Sequence, residues 1–314
     1  MTSRRFIGLI FSCLLAISPA LAERKVDHVI ILSIDGGKPK VILQTEMPQL
    51  QRLVQEGAHT WVANTIFPPK TLPSHTSMVT GVGPEKHGIL WNDWMPLRGM
   101  VKVPTIFSLV KAADPEAGTA WICGKGKFRH LWLPGSLDVF DLNGPQQPGP
   151  ASMEFNRLKA PAQKVAGQVK GWLAEHQPQV MMVHFPDVDA AGHASGWGSP
   201  EQQEALRVVD QALGQVVRAE KDSPMADSSV IIVTADHGGH EKNHAENIPD
   251  DMNIPWIAWG KGVKPGFEIQ QPVTTYDTAA TALWLLGLEV PASFDGKPVV
   301  EAFDFPVKAA PAGK

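Results

Sequence analysis

The sequence predicts an α/β protein built on a mostly parallel central sheet with helices on both faces. Segments with strand character alternate with segments of helix character, which favours parallel strands joined by helical crossovers. Apolar runs rich in β-branched residues, such as 29–34 and 230–233, are typical of strands that are buried on both faces. A chain of 314 residues is long enough for one large domain of this class.

Individual elements follow from the same patterns. Strands are predicted at 28–34, 119–122, 179–185, 229–235 and 254–259. Helices are predicted at 48–57, 104–113, 155–176, 200–220 and 276–286. The stretch 132–152 is rich in Pro, Gly and Gln and is predicted to be a loop. No repeat or linker divides the chain, so residues 23–305 are expected to form a single domain.

The two ends of the chain are expected to lie outside that domain. Residues 1–22 resemble a secretory signal peptide: two arginines, an apolar stretch too short to span a bilayer, and an A-x-A site ending at Ala22. An uncut membrane anchor, or a lipoprotein attached through Cys13, fits this pattern less well. Residues 306–314 are expected to be a flexible tail. We therefore predict a periplasmic protein without a stable membrane span after cleavage.

Composition restricts the classes of partner and the sources of stability. The net charge is −4, so the chain has no basic excess with which to hold a nucleic-acid polymer. A small-molecule substrate is expected instead, and the oligomeric state is left open. Cleavage of the signal peptide would leave Cys123 as the only cysteine and would exclude an internal disulfide. Core burial and a bound metal are then the expected sources of stability.

Two of the predicted strands end in side chains that bind metals well. The strand at 28–34 runs into Asp35, and the strand at 229–235 runs into Asp236 and His237. In open α/β sheets, ligands bind outside the carboxyl ends of the strands. Carboxylates and imidazoles delivered together to that edge predict a metal centre.

A third strand, at 179–185, is followed by another carboxylate and imidazole. Asp189 and His193 are four residues apart, and Gly192 would allow a sharp turn between them in a short loop. Such a pair is a typical zinc-ligand arrangement. Asp187 is the competing acid in the same segment.

Thr71 is the candidate nucleophile. It follows Pro69 and Lys70 and stands just before an expected helix that Ser74 could cap. A hydroxyl at a helix N-terminus faces the positive end of the helix dipole, where an anionic phosphoryl group also binds well. Contact with a metal would lower its pKa and make it a nucleophile.

Together these blocks resemble the alkaline phosphatase superfamily and, within it, the type I phosphodiesterase/nucleotide pyrophosphatase family. That family's nucleophile block, F-P-x-x-T-x-P-N, is matched by residues 67–74, with Ser74 in place of the final Asn. Its T-G-x-x-P-x-x-H-G-I run is matched by residues 80–89, and Asn92 follows. The block order covers roughly the whole mature chain, whereas each block alone is modest evidence.

The resemblance implies two Zn²⁺ ions and a set of site residues. Thr71 is implied to be the catalytic nucleophile, and Asn92 is implied to donate to a phosphoryl oxygen. The D-x-x-G-H spacing favours Asp189 over Asp187 as a ligand. Short bacterial members place the last histidine eight residues after the D-H-G aspartate, which favours His244 over the alternative His240. One zinc would be held by Asp35, Thr71, Asp236 and His237, and the other by Asp189, His193 and His244.

The predicted activity is hydrolysis of phosphodiester or pyrophosphate bonds through a phospho-threonine intermediate. A dianionic monoester favours an Arg clamp, and no Arg lies in the Thr71 block. A phosphomonoesterase or a phosphonate hydrolase of the same superfamily is the alternative. A non-catalytic metal-binding protein of the cell envelope is the alternative of another class. The sequence disfavours a sulfatase, because the C/S-x-P-x-R motif of sulfatases would need other residues at Thr71 and His75.

Other polar residues near these blocks are expected to have structural and not catalytic roles. His184 lies within a predicted strand and is expected to be a core histidine with satisfied hydrogen bonds. Lys125, Lys127 and Arg129 follow a predicted strand and are expected to form a solvated loop.

Overall fold

An eight-stranded sheet forms the centre of the computed structural model, which describes residues 23–141 and 159–305. The predicted signal peptide, the expected tail, part of the predicted 132–152 loop and the start of the predicted 155–176 helix lie outside the described residues. The strands are β1 (His28–Ile34), β2 (Ala58–Asn64), β3 (Thr119–Cys123), β4 (Val139–Asp141), β5 (Val180–Phe185), β6 (Ser229–Ala235), β7 (Asn253–Gly260) and β8 (Phe267–Glu268).

Helices cover both faces of this sheet. Alternate residues of β1 point into two separate apolar cores, with Ile31 in one and Ile30 in the other. Helices α3, α5 and α10 pack over the first core, and α1, α2, α6 and α8 over the second. The described α-helices are α1 (Pro39–Leu43), α2 (Pro48–Glu56), α3 (Thr71–Thr80), α4 (Pro84–His87), α5 (Ile106–Ala113), α6 (Ala162–Glu175), α7 (Asp187–Ser195), α8 (Pro200–Lys221), α9 (Pro249–Met252) and α10 (Asp277–Leu285).

The strand order is β4-β3-β5-β1-β6-β7-β2-β8, and only β7 runs antiparallel to its neighbours. The expected fold class is confirmed. Strand β1 lies between β5 and β6, and Ile34 pairs with both Phe185 and Ala235. The residues that follow these three strands therefore emerge side by side at one edge of the sheet.

All five predicted strands are present, and the sequence patterns missed β2, β4 and β8. Strand β2 alternates buried and exposed positions and includes polar residues, so it carries no continuous apolar run. Strands β4 and β8 are only three and two residues long and depend on their neighbours for pairing. Within the described ranges, no helix is long and apolar enough to cross a membrane.

Two local expectations around the candidate site are wrong. Helix α3 begins at Thr71, so Ser74 lies inside it and does not cap it. The Ser74 N–H already donates to the Lys70 carbonyl, and its hydroxyl lies 2.8 Å from that of Thr65. The segment from Asp187 to Ser195 is helix α7 and not a loop.

Candidate metal centre and nucleophile

Asp35, Asp236 and His237 meet at the edge where β1 and β6 end. The Asp236 Oδ1 atom accepts hydrogen bonds from the backbone N–H groups of Gly36 and His237, at 3.0 and 3.1 Å. Its Oδ2 atom lies 3.4 Å from the His237 Nε2 atom. That nitrogen is also 3.4 Å from the Asp35 Oδ1 atom. The backbone thus orients Asp236 so that its second oxygen faces the His237 ring, which also approaches Asp35.

Helix α7 supplies the next pair. Residues four apart lie on the same helix face, and the Asp189 Oδ1 atom is 3.2 Å from His193 Nε2. Gly192 is therefore not a turn residue. It makes room for the ring of Trp197, which would lie 2.8 Å from a Cβ atom there.

His244 completes this group, and His240 lies elsewhere. His244 Nε2 is 3.2 Å from His193 Nε2 and 3.6 Å from Asp189 Oδ1. His240 instead places its Nδ1 atom 2.7 Å from a carboxylate oxygen of Asp251.

Two ligand groups result, and Asp189 belongs to both. The ligand atoms lie within 4.8 Å of one another in each group, one of Asp189, His193 and His244 and the other of Asp35, Asp189 and His237. Asp187 is in neither group. Its carboxylate accepts the Ala162 N–H at the start of α6, which is an ordinary structural role.

The three histidines share one hydrogen-bonding arrangement. Each places Nδ1 next to a backbone carbonyl: His193 at Lys242 (2.9 Å), His237 at Gly238 (2.9 Å) and His244 at Pro69 (2.7 Å). A carbonyl can only accept, so Nδ1 is assigned the proton and Nε2 keeps its lone pair. This is the tautomer of a metal-binding histidine whose ring is held by its second nitrogen.

The same site contains buried polar atoms without partners. Within the described residues, no hydrogen bond reaches Asp35 Oδ1, Asp189 Oδ1, Asp236 Oδ2 or His237 Nε2. Burial and the nearby Asp35 raise the pKa of Asp236 to about 7. Unpaired buried carboxylates are costly, and bound divalent cations would supply the missing partners of these atoms. The residues therefore fit a metal, and carboxylate and imidazole donors suit zinc.

Thr71 is the first residue of α3 and is buried beside a cavity of about 510 Å³. Asn92 lines the same cavity, and its Oδ1 atom accepts the N–H of Leu72 at 2.8 Å. Its amide NH₂ group therefore remains available as a donor. The nucleophile candidate, an amide donor and the ligands Asp189, His193 and His244 face one space.

The expectation that Lys125 belongs to a solvated loop is wrong. Its side chain is buried, and its Nζ atom lies 2.6 Å from both Asp35 Oδ2 and Asp189 Oδ2. Burial alone would lower the pKa of Lys125, but these two carboxylates hold it above its usual range. The sequence shows only that Lys125 follows a predicted strand, and its place at the site depends on the pairing of β3 with β5, which the structure supplies.

His184 is a second residue whose place at the site the sequence did not reveal. It is buried as expected, but its Nε2 atom donates to Asp35 Oδ2 at 2.9 Å. Its Nδ1 atom accepts the backbone N–H of Gly124 at 3.3 Å. His184 therefore orients Asp35 from within strand β5.

Gly36 offers a test of how closely this edge is packed. It has a φ of +73°, and a Cβ atom there would lie 3.0 Å from the Asp189 Cα atom. Gly88 has a φ of +70° with no neighbour within 4 Å, so it is a matched control. We expect Gly88→Ala to cost about 1–2 kcal/mol from backbone strain alone. Gly36→Ala should cost more and also weaken metal binding, as measured by urea unfolding and metal titration. Equal losses in both variants would contradict close packing here.

A family model described as type I phosphodiesterase/nucleotide pyrophosphatase matches residues 29–271. The chain belongs to this family. The resemblance seen in the sequence blocks is confirmed. Type I phosphodiesterases/nucleotide pyrophosphatases are metal-dependent, and this member has side-chain clusters able to bind a metal ion.

Two curated members of the family are similar to part of the chain. Ectonucleotide pyrophosphatase/phosphodiesterase family member 3 of Rattus norvegicus is 27% identical over 224 residues, covering 67% of this chain and 24% of the rat protein. A bis(5'-adenosyl)-triphosphatase of Bos taurus is 28% identical over 225 residues, covering 67% and 47%. The chain thus spans less than half the length of either relative.

A solved structure supports the fold of this family member. Inactive murine ectonucleotide pyrophosphatase/phosphodiesterase 5, in complex with AMP, aligns with a TM-score of 0.71. The alignment covers 90% of this chain and 100% of that chain at 16% identity. At this identity the likeness shows the alkaline phosphatase-like fold alone.

Proposed function

We propose that this chain is a metal-dependent hydrolase of phosphodiester or pyrophosphate bonds that acts through a phospho-threonine at Thr71. The observation that carries the proposal is the shared cavity, where Thr71 begins a buried helix beside ligand-type side chains. Family membership supports the class of bond that is cleaved.

Seven side chains would hold two zinc ions. Zinc bound there would supply a Lewis acid and lower the pKa of a coordinated hydroxyl or water. One ion would be held by Asp35, Thr71, Asp236 and His237, and the other by Asp189, His193 and His244.

The chain's own residues would then bind and attack the substrate. The N-terminus of α3 attracts the anionic phosphoryl group, and the Asn92 NH₂ group donates to a non-bridging oxygen as charge develops. The Thr71 oxygen forms a bond to phosphorus while the bond to the leaving oxygen breaks. Water then cleaves the phospho-threonine, which releases the phosphoryl product and restores the hydroxyl.

The cavity favours a diester or pyrophosphate over a monoester. No Arg is among its described lining residues, and the guanidinium groups of Arg98 and Arg129 stack on Trp91 and Trp132. A dianionic monoester would favour an arginine clamp on its phosphate, which the described lining does not provide.

The deciding assay compares bis-p-nitrophenyl phosphate with p-nitrophenyl phosphate, with and without a chelator. We expect faster turnover of the diester, its loss with the chelator and its recovery with Zn²⁺. No metal-dependent turnover of either compound would favour a non-catalytic metal-binding protein. Preference for the monoester, or for a phosphonate ester, would support those alternatives instead. Residues 1–22 support export to the periplasm, so the activity should appear in the periplasmic and not in the cytoplasmic extract.

A further inference from the structure

We propose that Lys125 is a positioning residue that ties the two zinc sites together. It does so by binding one oxygen from a carboxylate ligand of each site. The inference rests on the proposed function, because it takes Asp35 and Asp189 as ligands of different metal ions.

The two oxygens of each carboxylate have different surroundings. Oδ2 of Asp35 receives hydrogen bonds from Lys125 (2.6 Å) and His184 (2.9 Å), whereas Oδ1 has no hydrogen-bond partner among the described residues and faces His237. Oδ2 of Asp189 receives a hydrogen bond from Lys125 at 2.6 Å, whereas its Oδ1 likewise has no partner in the described ranges and faces His193. In both carboxylates, one oxygen is occupied by Lys125 and the other is left for a metal.

One ammonium group can hold both carboxylates because it carries three donors. Each carboxylate is thereby limited to binding a metal through a single oxygen. Since Asp35 and Asp189 stand on different elements, the ammonium also fixes the separation of the two sites.

The backbone places Lys125 rigidly enough for this role. The Gly124 N–H donates to His184, and the Gly124 carbonyl accepts the N–H of Ala160 at 3.0 Å. A Cβ atom at Gly124 would lie 2.4 Å from the ring of Pro186, so the chain is tightly packed just before Lys125.

Two physical effects of Lys125 on metal affinity have opposite signs. A positive charge repels a cation, so repulsion alone predicts that Lys125→Met binds metal more tightly. Positioning predicts weaker binding, because two ligands lose their orientation; the loss of such partners typically weakens metal affinity about 10–100-fold. The direction in which metal affinity changes in Lys125→Met therefore distinguishes charge repulsion from positioning.

The experiment titrates metal-free wild type, Lys125→Met and Lys127→Met with Zn²⁺ against a chromophoric chelator. Lys127 is a matched control, because it lines the same cavity but its ammonium makes no hydrogen bond or ion pair with the described residues. We expect Lys125→Met to lose affinity for at least one ion by about 10–100-fold, and Lys127→Met to match wild type. In Co²⁺-substituted protein, Lys125→Met should also change the visible absorption spectrum and weaken the magnetic coupling between the ions.

Unchanged or tighter zinc binding by Lys125→Met would overturn the proposal. So would a higher KM with normal metal affinity, which would place Lys125 on the substrate. If Lys125→Met does not fold, Lys125→Gln removes the charge but keeps a donor, and it should show a smaller loss of the same sign. Failure of wild type to bind two ions would instead reject the two-zinc function on which the inference rests.

Discussion

Replacing Thr71 by Ala is expected to reduce diester hydrolysis by about a thousandfold or more, because it removes the attacking oxygen. Zinc binding should largely remain, since the other proposed ligands of that ion, Asp35 after β1 and Asp236 and His237 after β6, do not belong to α3. The measurements are kcat with bis-p-nitrophenyl phosphate and metal content after dialysis. Acid quenching of wild type during turnover should yield a peptide that carries a p-nitrophenyl phosphoryl group on Thr71, because only one of the two p-nitrophenolate groups has left.

Two further variants distinguish a lost nucleophile from a damaged helix. Thr71→Ser keeps a hydroxyl and should retain part of the activity. Thr80→Ala removes a buried hydroxyl at the other end of α3 and should remain active, because within the described part of the chain this hydroxyl donates only to the Thr76 carbonyl. Full activity in Thr71→Ala would remove Thr71 from the mechanism.

Replacing His244 by Ala should lower both the metal content and the rate, whereas replacing His240 should change neither greatly. His244 Nε2 lies beside His193 and Asp189, so its loss removes one ligand of that group. Such losses typically reduce activity by about 100-fold or more. His240 instead contacts the buried carboxylate of Asp251, and its removal should cost about 1–3 kcal/mol of stability.

The pair is informative because both histidines follow the same strand and differ by four positions. Metal analysis and kcat of the two variants, side by side, decide the assignment. Loss of one metal ion in His240→Ala with normal binding in His244→Ala would reverse it.

The sequence was most informative where strands end. Apolar runs at 28–34 and 229–235 are buried on both faces, and parallel strands deliver their last residues to one edge. That geometry brings Asp35 and Asp236 together without any further knowledge of the fold. The helix-forming spacing of Asp189 and His193 was interpreted as a loop because Gly192 suggested a turn, whereas a nearby tryptophan explains the glycine.

Residues whose role depends on strand order were not predictable. Lys125 follows a strand that carries no acid, and a lysine between glycines is usually solvated. Only the placement of β3 beside β5 brings its ammonium to Asp35 and Asp189. His184 reaches Asp35 for the same reason, since β5 and β1 are neighbours although 149 positions separate the two residues. The direction of β7 likewise follows from tertiary pairing and not from its own pattern.

The hydrogen bond from His244 to the Pro69 carbonyl links the effects that substitutions at His244 and Thr71 have on the reaction rate. Pro69 lies two residues before Thr71, so a proposed metal ligand and the proposed nucleophile share one short piece of backbone. Changes at His244 and Thr71 will therefore not contribute independently to the activation barrier. The double variant should lose less than the product of the two single losses, as expected for residues that act as one unit.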